Sequence, residues 1–269
     1  MDLDGTVKKL LRRDQWVAAA LLVAVIAASW AYLLAGAGMG MSALDMTRMN
    51  GTTAPMGDMG LIVTWSAGYA LVSFVMWWSM MIAMMLPSAA PMILLFAVIQ
   101  TRQHRAGNRH VPTTIFTLGY MLAWAGFSLG ATAMHWTLAR AGLLTPAMAL
   151  TGQWLGAGLL LAAGFYQLTP IKRTCLRHCR LPAMYLASHW RPGKRGALIM
   201  GLGHGAYCLG CCWFLMLLLF FGGVMNLYWI AGLALLVLLE KTLPLGHWLG
   251  YGVGLLLIAG GVWLLLPVP

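Results

Sequence analysis

Residues 61–100 read LIVTWSAGYALVSFVMWWSMMIAMMLPSAAPMILLFAVIQ, an apolar stretch broken only by Pro87 and Pro91. As a helix it would measure about 60 Å at ~1.5 Å per residue. That is too long for one straight crossing of a hydrocarbon core of about 30 Å, and short for two crossings with a turn. Charge in the flanking loops decides between them. Residues 101–112 carry Arg102, Arg105 and Arg109, and residues 169–196 carry Lys172, Arg173, Arg177, Arg180, Arg191, Lys194 and Arg195. Basic loops stay on the cytoplasmic side. One long kinked helix puts both loops there, with the N-terminus in and the C-terminus out, whereas two spans would strand 101–112 on the wrong side. The alternative is one span plus an interfacial or re-entrant piece around PSAAP (87–91).

Working outward, further apolar runs lie at 16–36, 113–140, 145–168, 197–222, 225–242 and 245–266. The expected fold is an all-α, polytopic transmembrane bundle of about seven spans. It would be one transmembrane domain, 1–269, with a methionine-rich extracytoplasmic loop 37–60 and a basic Cys/His cytoplasmic loop 169–196. Lys8, Lys9, Arg12 and Arg13 precede the first run as in a signal peptide, but the run is too long for an h-region and reads as a retained anchor. No internal repeat stands out, which speaks mildly against an inverted-repeat transporter.

Composition agrees. Hydrophobic residues make up 61% and charged residues 9%, against roughly a quarter charged in soluble domains, and the mean hydropathy is +0.80. A soluble enzyme and a disordered chain are excluded. The net charge of +11 sits in short loops between apolar runs, so its partner is membrane lipid and not nucleic acid. The expected location is the bacterial inner membrane. Of six acidic residues only Glu240 falls in an apolar run. No carboxylate pair is available for buried acid–base chemistry, and no P-loop is present.

Residues 39–59, MGMSALDMTRMNGTTAPMGDM, hold Met39, Met41, Met46, Met49, Met56 and Met59 in an otherwise polar segment. Thioether sulfur is a soft, neutral donor that suits Cu(I) where thiols would oxidise. The plain alternative is packing on the outer helix ends. Met76, Met80 and Met84 then recur at helical spacing in the long stretch, widened by Met81 and Met85. Such a stripe is either core packing or a continuation of a ligand path.

GLGHGAYCLGCCW (201–213) places His204, Cys208, Cys211 and Cys212 within an arc of roughly 100° on one helix. Ligands on one straight helix rarely close a tetrahedron, so neighbouring helices must contribute. Zinc takes Cys3His sets, but the methionines favour copper. A Cys208–Cys212 disulfide is disfavoured by helical geometry. A second group, Cys175, His178 and Cys179, lies between Pro170 and Pro182 among four basic residues, which should lower the thiol pKa. The alternative there is an interfacial helix whose arginines meet anionic lipid. Glu240 falls at a depth similar to His204 and joins the candidate ligands. It cannot pair with Lys241, because adjacent side chains diverge; its plain reading is a partner for an inner-face arginine. His135 lies too far in depth from His204 for the two to share a haem.

With AMMLPSAAPM (83–92), YQLTPIKRTCLRHCR (166–180), GLGHGAYCLGCCW (201–213), FGGVMNLYW (221–229) and LLEKTLP (238–244) in view, the sequence resembles a bacterial family of metal-binding integral membrane proteins, a domain of unknown function. The resemblance covers roughly residues 75–245 and implies metal binding but no reaction. The segment 39–59 lies outside it.

Three functions are compatible with these features. The first is copper handling by Met, Cys and His ligands, with a copper chaperone or copper enzyme as partner. The second is a copper- or thiol-dependent membrane oxidoreductase acting on a lipid-soluble substrate. The third is a subunit or scaffold of a larger complex or oligomer, with Cys and Met as packing.

Overall fold

The computed structural model describes residues 3–49, 65–105, 111–145 and 147–266. Among the described residues the order is α1 (Leu3–Leu34), α2 (Ala43–Met49), α3 (Ala67–Arg105), α4 (Thr113–Arg140), α5 (Gln153–Leu168), α6 (Pro170–Arg180), α7 (Pro182–His189), α8 (Gly193–Leu217), α9 (Leu219–Gly222), α10 (Leu227–Thr242) and α11 (Gly246–Leu265). The described residues hold no strand, only an isolated bridge between Leu144 and Leu150.

Each expected span corresponds to a helix. Five of them are long and apolar enough to cross a membrane: α1 from Trp16, α3, α4, α8 continued by α9, and α11. The other two, α5 and α10, have 16 residues each, about 24 Å at ~1.5 Å per residue. They fall short of a full hydrocarbon thickness. About seven spans therefore describes the bundle approximately.

The stretch that decides the topology is a single helix. α3 runs 39 residues through Pro87 and Pro91 without a break, so no re-entrant piece forms at PSAAP. A proline withholds an N–H and loosens the turn before it. Here that turn is tied to its surroundings: the Met85 carbonyl accepts from Ser88 Oγ at 2.8 Å and from Tyr120 OH of α4 at 3.1 Å.

α3 and α8 are the most buried of the long helices, and α1 and α11 the least. α4 lies along α8, α11 along α5, and α1 along α3. The α4–α8 crossing depends on reciprocal glycines. A Cβ on Gly201 would strike the Phe116 carbonyl, and one on Gly119 would strike that of Leu198. Small residues let membrane helices approach to backbone contact in this way.

The chain turns sharply after α5. Thr169 is extended and caps α6, its Oγ1 accepting from Lys172 N at 3.3 Å, and Pro170 follows at the first helical position. Both features favour starting a new helix there. α6 leaves α5 at 64°. α6 carries Lys172, Arg173, Arg177 and Arg180 among its 11 residues, and α5 and α6 together have the length and composition of one bent span or a re-entrant piece. This elbow presents α6 to α8 and, through a few contacts, to α10.

Candidate functional site

Cys208, at mid-length of α8, is fully buried and is met from two other helices. Lys241 Nζ of α10 donates to its sulfur at 2.9 Å and to Ser88 Oγ of α3 at 2.9 Å. Tyr120 OH of α4 lies 3.1 Å from the same sulfur. Cys211 and Cys212 occupy the next turn, and both thiols donate back to the Cys208 carbonyl at 3.0 Å. The Cys212 sulfur lies 3.7 Å from Met85 Sδ of α3.

α6 brings the remaining thiols to this place. Cys175 lies against Gly210, where a Cβ would be 2.8 Å from its sulfur. Cys179 interacts with the Cys208 and Cys211 thiols. The sequence presents two separate cysteine groups; the folded chain joins them into one cluster of five free thiols with Met85 at its edge. The surrounding bases do not lower the α6 thiols as expected. Burial lifts Cys175 above the usual thiol range, and nearby Cys211 adds to the rise. Hydrogen bonds that Cys179 donates to Cys208 and Cys211, then burial, hold it well above that range. The α6 arginines turn to another face, described below.

His178 does not join the thiols. Its ring stacks on Tyr207 with centroids 4.2 Å apart, and its Nδ1 is 2.9 Å from the Thr174 carbonyl. His204 does share the face of Cys208, one turn earlier. It is buried between Tyr120, Tyr185 and Phe116, with centroids at 5.7, 5.6 and 6.3 Å, and its Nδ1 has no hydrogen-bond partner among the described residues.

Glu240 has a partner the sequence reading overlooked. Its oxygens accept from Lys172 Nζ at 2.8 and 2.7 Å, and one also accepts from Gln167 Nε2 at 3.3 Å. Lys172 further donates to Gln167 Oε1. Lysine and glutamate are 2% and 1% exposed, so neither charge is solvated and each needs the other. The expected arginine partner is a lysine, which engages both carboxylate oxygens of Glu240. In the sequence Lys172 reads as loop charge and as one of the four basic residues around Cys175 and Cys179. A signal existed: adjacent Glu240 and Lys241 in an apolar helix must serve two different neighbours.

The methionines divide. Met80 and Met84 are buried in the core of α3, yet Met85 is the one beside a thiol. In the outer segment, Met39 is half-buried against the core, Met41 is exposed, Met46 is buried and Met49 ends α2. Met56 and Met59 lie outside the described residues. α2 is capped by Ser42, whose Oγ accepts from Asp45 N at 3.2 Å, and is docked by Thr47 Oγ1, which accepts from Leu227 N at 3.0 Å.

Among the described residues no three His, Cys, Asp or Glu side chains form a group that could hold a metal ion. The hydrogen bonds explain it. Cys211 and Cys212 are turned onto a backbone carbonyl, and the Lys241 ammonium sits on Cys208. The donor set is nonetheless thiol and thioether, which suits a soft monovalent ion.

No curated protein and no solved structure matches the chain. One family model does, over residues 74–264, beginning after the outer methionine segment and enclosing α4 to α10 with most of α3 and α11. Spanning well over half of the chain, and all five cysteines with Met85 and Lys241, that match shows that the chain belongs to the PpoB2 family, described as copper chaperones.

Proposed function

We propose that the chain is a multi-pass protein of the bacterial cytoplasmic membrane that binds Cu(I) within the bundle and hands it to a copper-receiving partner. One observation carries this reading: Cys175 and Cys179 of α6, both half-buried, converge with the buried Cys208, Cys211 and Cys212 of α8 and Met85 of α3 in one place. Cu(I) prefers two or three sulfur donors, and thiolates exchange it among themselves with little barrier when each can accept and release. Copper is the cargo here. Cys208 and Cys212 would take it when the Cys212 thiol leaves its carbonyl, with Met85 as a neutral third donor. Cys175 and Cys179, the more exposed thiols of the cluster, would receive or deliver it. His204 is an additional donor one turn away. The outer methionines Met39, Met41, Met46, Met49, Met56 and Met59 would collect the ion at the opposite end. Met80 and Met84 would lie between.

The test compares two variants of the purified protein by competition with a chromophoric Cu(I) chelator. Changing the six outer methionines to leucine removes sulfur and keeps bulk. Loading should fall at limiting copper and survive at high supply. Changing Cys208 and Cys212 to serine should abolish tight binding at any supply. A Cys variant that keeps its full copper overturns the assignment, as does stoichiometric zinc without copper after growth in both metals.

The contact of Lys241 with Cys208 favours one second reading, a thiol-dependent oxidoreductase, because an ammonium stabilises a thiolate. Turnover that consumes an electron donor and survives complete copper removal would select it over the copper reading.

A further inference from the structure

One cavity lies away from the thiols. It holds about 560 Å³ between α6 and the start of α11, and it is lined by Arg173, Arg177 and Arg180 on one side and His247, Trp248 and Tyr251 on the other. That volume is ample for a small polar headgroup.

Among the described residues its charge is uncompensated. After residue 59 the sequence has one carboxylate side chain, Glu240, and both of its oxygens are engaged by Lys172. Among the described residues, Lys172–Glu240 is the one ion pair. Arg180 donates to the Leu243 and Pro244 carbonyls at 2.5 and 2.7 Å, which fixes the pocket floor to the turn between α10 and α11. Arg173 lies over the Tyr251 ring, its guanidinium carbon 5.8 Å from the centroid. Arg173 and Arg177 are exposed. Their forked donors match phosphate oxygens, and stacking orients such a fork before it binds.

The setting selects the source of the phosphate. Trp248 and Tyr251 belong to the first turns of a membrane-crossing helix, where amphipathic aromatic rings mark the headgroup level. Leu181 and Trp248, which line it, are 40% and 64% exposed, an apolar edge beside a basic floor. The basic loops 101–112 and 169–196 place this end of the bundle at the leaflet richest in anionic lipid.

We propose that this pocket binds the phosphate of an anionic phospholipid headgroup, held by Arg173 and Arg177, with the acyl chains running along the apolar rim. This is independent of the metal reading. It assigns a role to the α6 arginines, which do not touch the thiols.

The experiment uses the full chain, purified in detergent and analysed by native mass spectrometry after exchange into mixed micelles of phosphatidylglycerol and phosphatidylcholine. Phosphatidylglycerol should be retained at least fivefold over phosphatidylcholine. The Arg173→Gln/Arg177→Gln double variant should lose most of that preference, and 10-fold molar excess of inorganic phosphate over lipid should not displace it. Equal retention of both lipids overturns the proposal, as does a double variant that keeps the full preference. Displacement by inorganic phosphate overturns the lipid as occupant and points to a soluble phosphate. Should the double variant fail to fold, the preference of the unmodified chain decides alone.

Discussion

Glu240 and Lys241 are one residue apart and about 100° apart around α10, and each is buried against a different partner. For the first, breaking the pair is costlier than removing it. Lys172→Met or Glu240→Gln alone should lower stability by about 3–5 kcal/mol, because an uncompensated charge is left in an apolar place. Lys172→Met combined with Glu240→Leu should recover most of that loss. Thermal melting in detergent checks the series; single variants as stable as the unmodified chain would show that the site is hydrated. Met85→Leu keeps volume and apolarity, so folding should survive while Cu(I) affinity falls by about tenfold for one lost soft donor. Met84→Leu should leave affinity unchanged. Burial raises the Cys175 thiol, so its thiolate fraction grows only above the usual thiol range near pH 8.5. Alkylation followed by peptide mapping should be slow at pH 7.5 and still rising at pH 9.5; a plateau below pH 8 would contradict the burial argument. Cys208, Cys211 and Cys212 were legible from spacing alone, because residues on one helix carry their geometry in the sequence. Met85 was not separable from Met84, since the choice depends on how α3 is rotated against α8.

At the scale of elements, the long α3 was readable from charge: Arg102, Arg105 and Arg109 constrain which side its end must face. The convergence of α6 on α8 was not readable. It depends on the 64° elbow at Thr169–Pro170, and a T-P pair predicts a cap without predicting the direction in which the new helix leaves. The same limit hid Lys172, which looks like solvated loop charge until the elbow folds it under α10. The α4–α8 crossing gives a prediction at this scale. Gly201→Leu must push the helices apart at the Phe116 carbonyl and so move Tyr120 from Cys208. Melting temperature should fall together with Cu(I) binding. Ile199→Leu, on an exposed part of the same helix, should change neither. A Gly201→Leu variant that binds copper normally would show that the thiol cluster does not need Tyr120 in place.

At the scale of the whole molecule, the chain places all five of its cysteines on α8, one of the two most buried long helices, and on its neighbour α6, while α1 and α11 remain peripheral. The orientation is testable without copper. Cysteine-free variants carrying single reporter cysteines should be labelled from the cytoplasmic side near residue 107 and near residue 194, and from the opposite side near residue 52. The reverse pattern would place the outer methionines at the wrong end for capture. The grip on α10 also has a mechanical consequence. A rod held at one point can spin about its own axis, but α10 is held at one level on two faces, by Lys172 through Glu240 and by Ser88 and Cys208 through Lys241. It has therefore lost its rotational freedom, and the movements left to it are sliding and tilting. Either one carries Lys172 of α6 and the contact on Cys208 along with it, so α6 and α10 are coupled as a single linkage.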